Sequence, residues 1–203
     1  MPAAHEIDSE DPLRLFDLWI DEARSSELND PNACALATAT ADGAPSVRMV
    51  LAKPVGDRRF CFFTNAGSQK GRELAANPRA ALCFHWKSLR RQVRVEGSIA
   101  ELDDDAVDAY FHSRSRASQI AAAISSQSQP LASRAELEQA FHSFEQAHPD
   151  TIPPGTIPRP PFWRGYHLSE DRIEFWIDGA GRLHDRFLFL RANDGWQRQR
   201  LYP

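Results

Sequence analysis

Strand-like runs crowd both ends of this chain while helical patterns fill its middle, and few folds accommodate that order. Ala33–Ala39, Ser46–Ala52 and Arg59–Thr64 read as strands, with Asp42-Gly43 as the hairpin turn between the first two. Ala80–Trp86 and Gln92–Ile99 continue the pattern. The tail returns to it at Trp163–Leu168, Arg172–Ile177, Leu183–Arg191 and Trp196–Leu201, with breaks expected at Glu170-Asp171, Gly179-Ala180-Gly181 and Asn193-Asp194-Gly195. Helices are predicted where Asp11-Pro12 caps a repeat of Leu13, Phe16, Trp19, Ile20 and Ala23, and over Ser68–Ala76, stopped before Asn77-Pro78. Asp103-Asp104-Asp105 put negative charge at another helix start, Ser118–Ile124 reads as a short helix, and Ser133 with Glu136 forms a capping box. Strands at both ends with helices inserted predict a mostly β, mostly antiparallel barrel, closed because closure removes exposed edges.

At 203 residues and 42% hydrophobic, the chain suits one domain over 1–203, with 1–10 as a flexible start and Pro149–Pro161 as a rigid loop. A net charge of −4 gives no push toward nucleic acid or a membrane, so any anion site must be a local cluster. Cys34, Cys61 and Cys83 sit singly in apolar runs and read as buried thiols. No apolar run reaches the roughly 18 residues of a membrane span, and Met1–Asp11 lacks the features of a signal peptide, so a cytoplasmic protein is expected. The histidines show no metal-ligand spacing, and the motifs of hydrolases, kinases and dinucleotide-binding folds are missing from the sequence.

Three stretches set cations beside a short apolar strand or a glycine turn: Arg48-Met-Val-Leu-Ala-Lys53, Thr64-Asn-Ala-Gly-Ser-Gln-Lys70 and Arg182-Leu-His-Asp-Arg186. A phosphorylated small molecule needs such fixed donors: arginine forks, lysine point charges and free amides at a helix start. Each stretch also has a plainer reading. Ser68-Gln69-Lys70 is a helix cap in its own right; Arg48 is either a solvated edge residue or a buried charge with an anionic partner. Lys53, five residues on, points to the other face of an unbroken strand unless Pro54 re-aims it. Arg91–Gly97 alternates charged and apolar residues, as a half-exposed strand with cross-strand ion pairs does. Tyr110, Arg114 and Ser118 share a face if one helix runs through Ser115, and are ordinary helix-end residues if it breaks there. Arg182, His184 and Arg186 alternate along one predicted strand and so share a face, as a pocket wall or as a solvated edge.

Taken in order, these residues resemble the pyridoxamine 5′-phosphate oxidase family over about Asp11 to Pro203, most densely at Arg48–Lys53, Phe62–Leu74, Arg91–Gly97, Ser118–Ser128, Ile173–Trp176, Arg182–Arg186 and Arg200–Pro203. The resemblance implies an FMN-binding split β-barrel, a homodimer with one FMN in each of two clefts between subunits. It implies oxidation of pyridoxamine or pyridoxine 5′-phosphate to pyridoxal 5′-phosphate by dioxygen, with release of hydrogen peroxide. Carried over by motif, Arg48, Met49, Val50, Leu51, Lys53, Phe63, Thr64, Gln69, Lys70 and Gln92 would contact FMN, as would Gln127, Ser128, Trp176 and Arg186 from the other subunit. Lys53, Tyr110, Arg114 and Ser118 would clamp the substrate phosphate, and Arg182 and His184 would hold the pyridine ring at the catalytic position.

The chain departs from the family pattern in three places. Gln69 stands where the family usually has arginine, Ile177-Asp178 stands where Gln-Gly is common, and Met1–Asp11 contains no Arg-x-x-Tyr segment. Two further readings compete. Flavin oxidases of phenazine biosynthesis share a turn like Gly67–Lys70 but generally lack the phosphate clamp. Non-catalytic split-barrel modules carry flavin, haem or pyridoxal phosphate and have no need for Arg182 and His184.

Overall fold

The computed structural model describes residues 9–149 and 157–203; Met1–Asp8 and most of the proline-rich loop expected between 149 and 161 lie outside the described residues. Helix α1 (Pro12–Ser26) starts where Asp11 accepts hydrogen bonds from the Leu13 and Arg14 amides. Its buried stripe of Leu15, Phe16, Trp19, Ile20 and Ala23 packs onto Phe60, Phe84 and Trp86 of the sheet. Each such fully buried apolar side chain contributes about 1.5–3 kcal/mol, so this stripe binds helix to barrel more firmly than helix propensity does.

Among the described residues nine strands form one antiparallel sheet. They are β1 (Ala33–Ala39), β2 (Pro45–Leu51), β3 (Lys53–Val55), β4 (Arg58–Asn65), β5 (Arg79–Trp86), β6 (Arg91–Glu101), β7 (Trp163–Ile177), β8 (Asp185–Ala192) and β9 (Gly195–Leu201). The main ladder runs β2-β1-β5-β6-β7-β4-β3, with β8 and β9 branching from the far half of β7. Its two outermost strands, β2 and β3, are neighbours in sequence, separated only by Ala52. The sheet must therefore curl until its ends meet. No pairing joins β2 to β3 among the described residues, so the closure expected from the strand pattern is not made here and the barrel is split along this seam, as the family resemblance implies. The seam also settles how Lys53 is aimed: it belongs to β3, opposite Cys61 on β4, and not to a continuation of the strand that carries Arg48.

Two sequence expectations fail in the tail. Trp163–Leu168 and Arg172–Ile177 are one strand of 15 residues. Glu170-Asp171 is not a turn but a bulge: Glu96 faces Arg172 while the next residue, Gly97, faces Glu170, leaving Asp171 as the extra residue. Strand β8 begins at Asp185, not Leu183. Arg182 ends a 3₁₀ turn with φ +63°, and His184 lies between turn and strand, so Arg182, His184 and Arg186 do not alternate along one strand face.

The helices α2 (Gln69–Ala76), α3 (Asp104–Ser113), α4 (Arg116–Ile124) and α5 (Arg134–Ala147) form the inserted layer. Phe111, Ile120 and Val107 build a second core with Cys61, Leu102 and Trp163. The Ser133 hydroxyl accepts from the Glu136 amide, as the capping pattern predicts. The acidic start of α3 does more than complement the helix dipole, since Asp104 and Asp108 hold Arg159 and Asp104 also pairs with Arg164. Cys34 and Cys61 are buried and Cys83 partly so; all are free, and burial raises the first two thiols to about 12 and about 11. Among the described residues no helix is long and apolar enough to cross a membrane.

Candidate active site

A cavity of about 460 Å³ opens beside the seam. Met49, Val50 and Leu51 of β2 line one side of it. On this edge strand the residues alternate, so Val47, Met49 and Leu51 are exposed at 68%, 64% and 45% while Ser46, Arg48 and Val50 turn inward. Phe63 and Trp163 stack at 5.2 Å and form an aromatic wall.

Thr64, Lys70 and Gln127 form one polar group in this cavity. The Lys70 ammonium donates to Thr64 Oγ1 at 3.2 Å and to Gln127 Oε1 at 2.9 Å, and Thr64 donates to the same Gln127 oxygen at 2.9 Å. Gln127 thus lines the cavity of its own chain; Ser128 beside it is exposed, with φ +70°. Burial, reinforced by the like charge of Arg48, pushes the Lys70 ammonium below its usual pKa. Two cations that repel each other beside a concave surface favour an anion between them.

Arg48 lies behind this group with an anionic partner, Glu73. The partner sits on α2, which Ser68 caps through the Gly71 amide. Gly71 is obligatory: a Cβ there would overlap the Ala66 carbonyl, which fixes how tightly the turn folds under the helix. Glu73 is only 6% exposed and is surrounded by donors. It accepts from Ser46 Oγ at 2.7 Å, Gln69 Nε2 at 2.9 Å, Arg48 Nη2 at 3.3 Å and the Thr38 hydroxyl. Arg48 also donates to Ser46 at 2.6 Å and to Thr38. Burial alone would raise the Glu73 carboxyl, but the bonds from Thr38, Ser46, Gln69 and Arg48 prevail and hold it at about 2. The sequence reading missed Glu73, although its spacing of four from Gln69 on a helix was the available signal.

The second polar group is Lys53, Tyr110, Arg114, Ser115 and Ser118. The helix does break at Ser115, which caps α4, yet the residues still converge, because α3 and α4 meet at the cavity. Tyr110 stacks on Phe63 at 4.0 Å, and the Arg114 guanidinium lies 5.1 Å from the Trp163 ring centre. Arg114 Nη1 is buried without a hydrogen-bond partner, and burial lowers the pKa of this guanidinium despite the nearby Tyr110. A buried, unpaired guanidinium nitrogen on a cavity wall is a strained arrangement that an anionic ligand relieves.

The remaining candidates do not line this cavity. Gln92 pairs opposite Trp176 and Trp176 opposite Arg186, while the Trp176 and His184 rings are 4.7 Å apart. Arg186 donates to buried Glu174 at 2.8 Å and to the Tyr202 carbonyl at 2.9 Å. Across strands Arg94 pairs with Glu174 and Glu96 with Arg172, the ion pairs expected of an alternating strand, and Arg94 also pairs with Glu96 along β6. One chain therefore carries two separate polar assemblies, a phosphate-type cavity at the seam and an aromatic and imidazole cluster at the β7–β8 end.

A split antiparallel barrel with an anion-seeking cavity at its seam defines the class of small-molecule phosphate binders built on this fold. The comparisons narrow it. Residues 20–148 match the family model described as pyridoxamine 5′-phosphate oxidase, and residues 163–203 match the pyridoxine 5′-phosphate oxidase C-terminal dimerisation region. The chain belongs to the pyridoxamine 5′-phosphate oxidase family. It is 56% identical over 195 residues to the pyridoxine/pyridoxamine 5′-phosphate oxidase of Sphingopyxis alaskensis, covering 96% of this chain and 88% of that one. It is 51% identical over 205 residues to the enzyme of the same name from Erythrobacter litoralis, covering 99% and 95%. Among solved structures it is similar to PhzG from Burkholderia lata in complex with tetrahydrophenazine-1-carboxylic acid, with a TM-score of 0.88, 29% identity and 97% and 95% coverage. An FMN-binding protein from Nostoc punctiforme shares the fold at a TM-score of 0.77 and 21% identity, with 96% and 100% coverage.

Proposed function

We propose that this chain is an FMN-dependent oxidase that converts pyridoxine or pyridoxamine 5′-phosphate to pyridoxal 5′-phosphate, working as a homodimer in the cytoplasm. One observation carries the reading: Lys53, Tyr110, Arg114 and Ser118 converge on a cavity where a guanidinium nitrogen is buried and unpaired. A module that only carries flavin has no use for a second anion site. The 51–56% identity to oxidases of this name supports the same conclusion.

The donor set fits FMN. Arg48, Gln69 and Lys70 would hold its phosphate, Thr64 and Gln127 its polar chain, and Met49–Leu51 with Phe63 its ring system. Gln92, Ser128, Trp176 and Arg186 would complete the site. When bound, FMN supplies the hydride acceptor and passes the electrons to dioxygen. The chain supplies orientation. Arg114, Lys53, Tyr110 and Ser118 would fix the substrate phosphate, and Arg182 and His184 would fix the ring. A grip on the remote phosphate aligns the reacting carbon without touching it.

The two assemblies sit at opposite ends of β7. Thirteen residue steps separate Trp163 from Trp176, a contour of at most about 43 Å at roughly 3.3 Å per step, which supports a site completed from two chains. A second copy that brings its Trp176 and His184 to the seam completes such a site, and the exposed Met49 and Leu51 offer it an apolar face. The test is direct. The purified protein is expected to be yellow and, given pyridoxine 5′-phosphate in air, to form aldehyde and peroxide in equal amounts. Bound flavin without turnover would overturn the reading in favour of a phenazine-type oxidase or a carrier.

The Gln69 departure makes its own expectation. The cradle holds two cations, Arg48 and Lys70, against the Glu73 carboxylate. Gln69→Arg adds a third cation, and a charge-assisted bond to phosphate is expected to tighten FMN binding about tenfold. Titration of apoprotein into FMN, followed by flavin fluorescence quenching, measures it. Unchanged affinity would mean that residue 69 does not face the phosphate.

A further inference from the structure

We propose that Asp178 is a positioning residue for His184, fixing which ring nitrogen carries the hydrogen. The inference rests on the reading that His184 faces the substrate ring, and it concerns a carboxylate at a place where the family commonly has glycine.

The geometry sets two groups in competition for one atom. His184 Nδ1 lies 3.1 Å from Asp178 Oδ1 and also 3.1 Å from the Gly179 amide nitrogen, whose hydrogen is aimed at it. A ring nitrogen cannot accept from an amide and donate to a carboxylate at the same time. In a neutral ring, accepting at Nδ1 places the hydrogen on Nε2, whereas donating from Nδ1 leaves Nε2 with a free lone pair. Bonds to an ionised acceptor are roughly twice as strong as neutral ones, so the carboxylate prevails over the amide. His184 then carries its hydrogen on Nδ1 and offers Nε2 as an acceptor, suited to a hydroxyl or ammonium donor on the substrate.

The surroundings hold Asp178 to this task. Its amide donates to the Arg90 carbonyl at 3.1 Å, and its other carboxylate oxygen pairs with the Arg90 guanidinium, leaving Oδ1 for the histidine. Gly179 is packed so closely under Leu183 that a Cβ would overlap the Leu183 carbonyl, and this close return brings residues 178 and 184 together. The Trp176 ring lies against the imidazole, its centre 4.7 Å away and its plane tilted by 42°. Asp178 and His184 side chains are each about one-fifth exposed, at 21% and 20%, so the ring is held without being sealed from a ligand.

The test uses flavin-loaded protein with ¹⁵N-labelled histidine at neutral pH, with His184→Gln to assign the signal. Two-bond ¹⁵N–¹H spectra are expected to show the Nδ1–H form in the unmodified protein, whereas Asp178→Asn, a neutral acceptor without the carboxylate's advantage over the Gly179 amide, is expected to shift the ring toward the Nε2–H form. Asp178→Ala is expected to show the Nε2–H form, with kcat lowered about tenfold and KM changed less than about threefold. An Nε2–H ring in the unmodified protein, or no change in Asp178→Ala, would overturn the proposal. A change of tautomer with unaltered kcat and KM would support Asp178's hold on the ring and overturn the placement of His184 at the substrate.

Discussion

Arg114→Ala is expected to raise KM for pyridoxine 5′-phosphate by about 30- to 150-fold while the flavin content of the purified protein stays constant. The magnitude follows from the loss of a charge-assisted hydrogen bond, about 2–3 kcal/mol, at a group whose Nη1 has no partner within the chain. The removal breaks no ion pair, and relief of a charge that burial already disfavours offsets the lost contact with the Trp163 ring, so the change in stability is expected to be small. The direction separates two assignments. Arg114 and Lys53 belong to one polar group, Arg48 and Lys70 to the other, so a variant that sheds flavin instead of losing substrate affinity would show that the two phosphates have been assigned in reverse. Steady-state kinetics and the ratio of flavin to protein absorbance measure both quantities on one preparation.

Glu73→Gln is expected to destabilise the flavin-free protein by about 3 kcal/mol at neutral pH, about 6–12 °C in Tm for a chain of this size. The carboxyl is held at about 2 in the fold against an unperturbed value of 4.5. Its folded pKa is depressed, so the unfolded chain binds the proton more tightly. The stabilisation is complete above about 4.5 and is lost as pH falls toward 2. The gap in Tm between the two proteins should therefore narrow over that window, and scans at fixed protein concentration from pH 7 to pH 3 would reveal it. A constant gap across the window would mean that the carboxylate's charge is not what stabilises the network. Removing the charge also strands Arg48, whose side chain is 21% exposed, against a neutral neighbour.

The sequence carried the architecture further than the site. Apolar runs and caps located the principal strands and helices because each signal is local: Asp11 before Pro12, Ser133 before Glu136, alternation through Arg91–Gly97. What it misjudged depended on distant partners. Glu170-Asp171 has turn composition, but pairing along the whole of β6 keeps the chain extended and absorbs the extra residue as a bulge. Arg182, His184 and Arg186 alternate in sequence, yet the left-handed backbone at Gly181 and Arg182 ends that period before β8 begins. Tyr110, Arg114 and Ser118 were weighed as one helix face or as scattered helix ends. Spacing alone does not show two helices aimed at one cavity; before the fold, only the family resemblance brings these residues together with Lys53. Glu73 was overlooked because four of its contacts come from three different elements, β1, β2 and α2.

The seam beside Ala52 has a bearing on how this protein exchanges its ligands. Elsewhere in the main ladder, prising strands apart severs backbone hydrogen bonds, but along the line between β2 and β3 none is recorded among the described residues. That line carries no strand ladder, and the cavity opens beside it. Parting β2 from β3 would break no strand pairing, so a bulky ring entering along that line would meet less resistance than anywhere else in the main ladder.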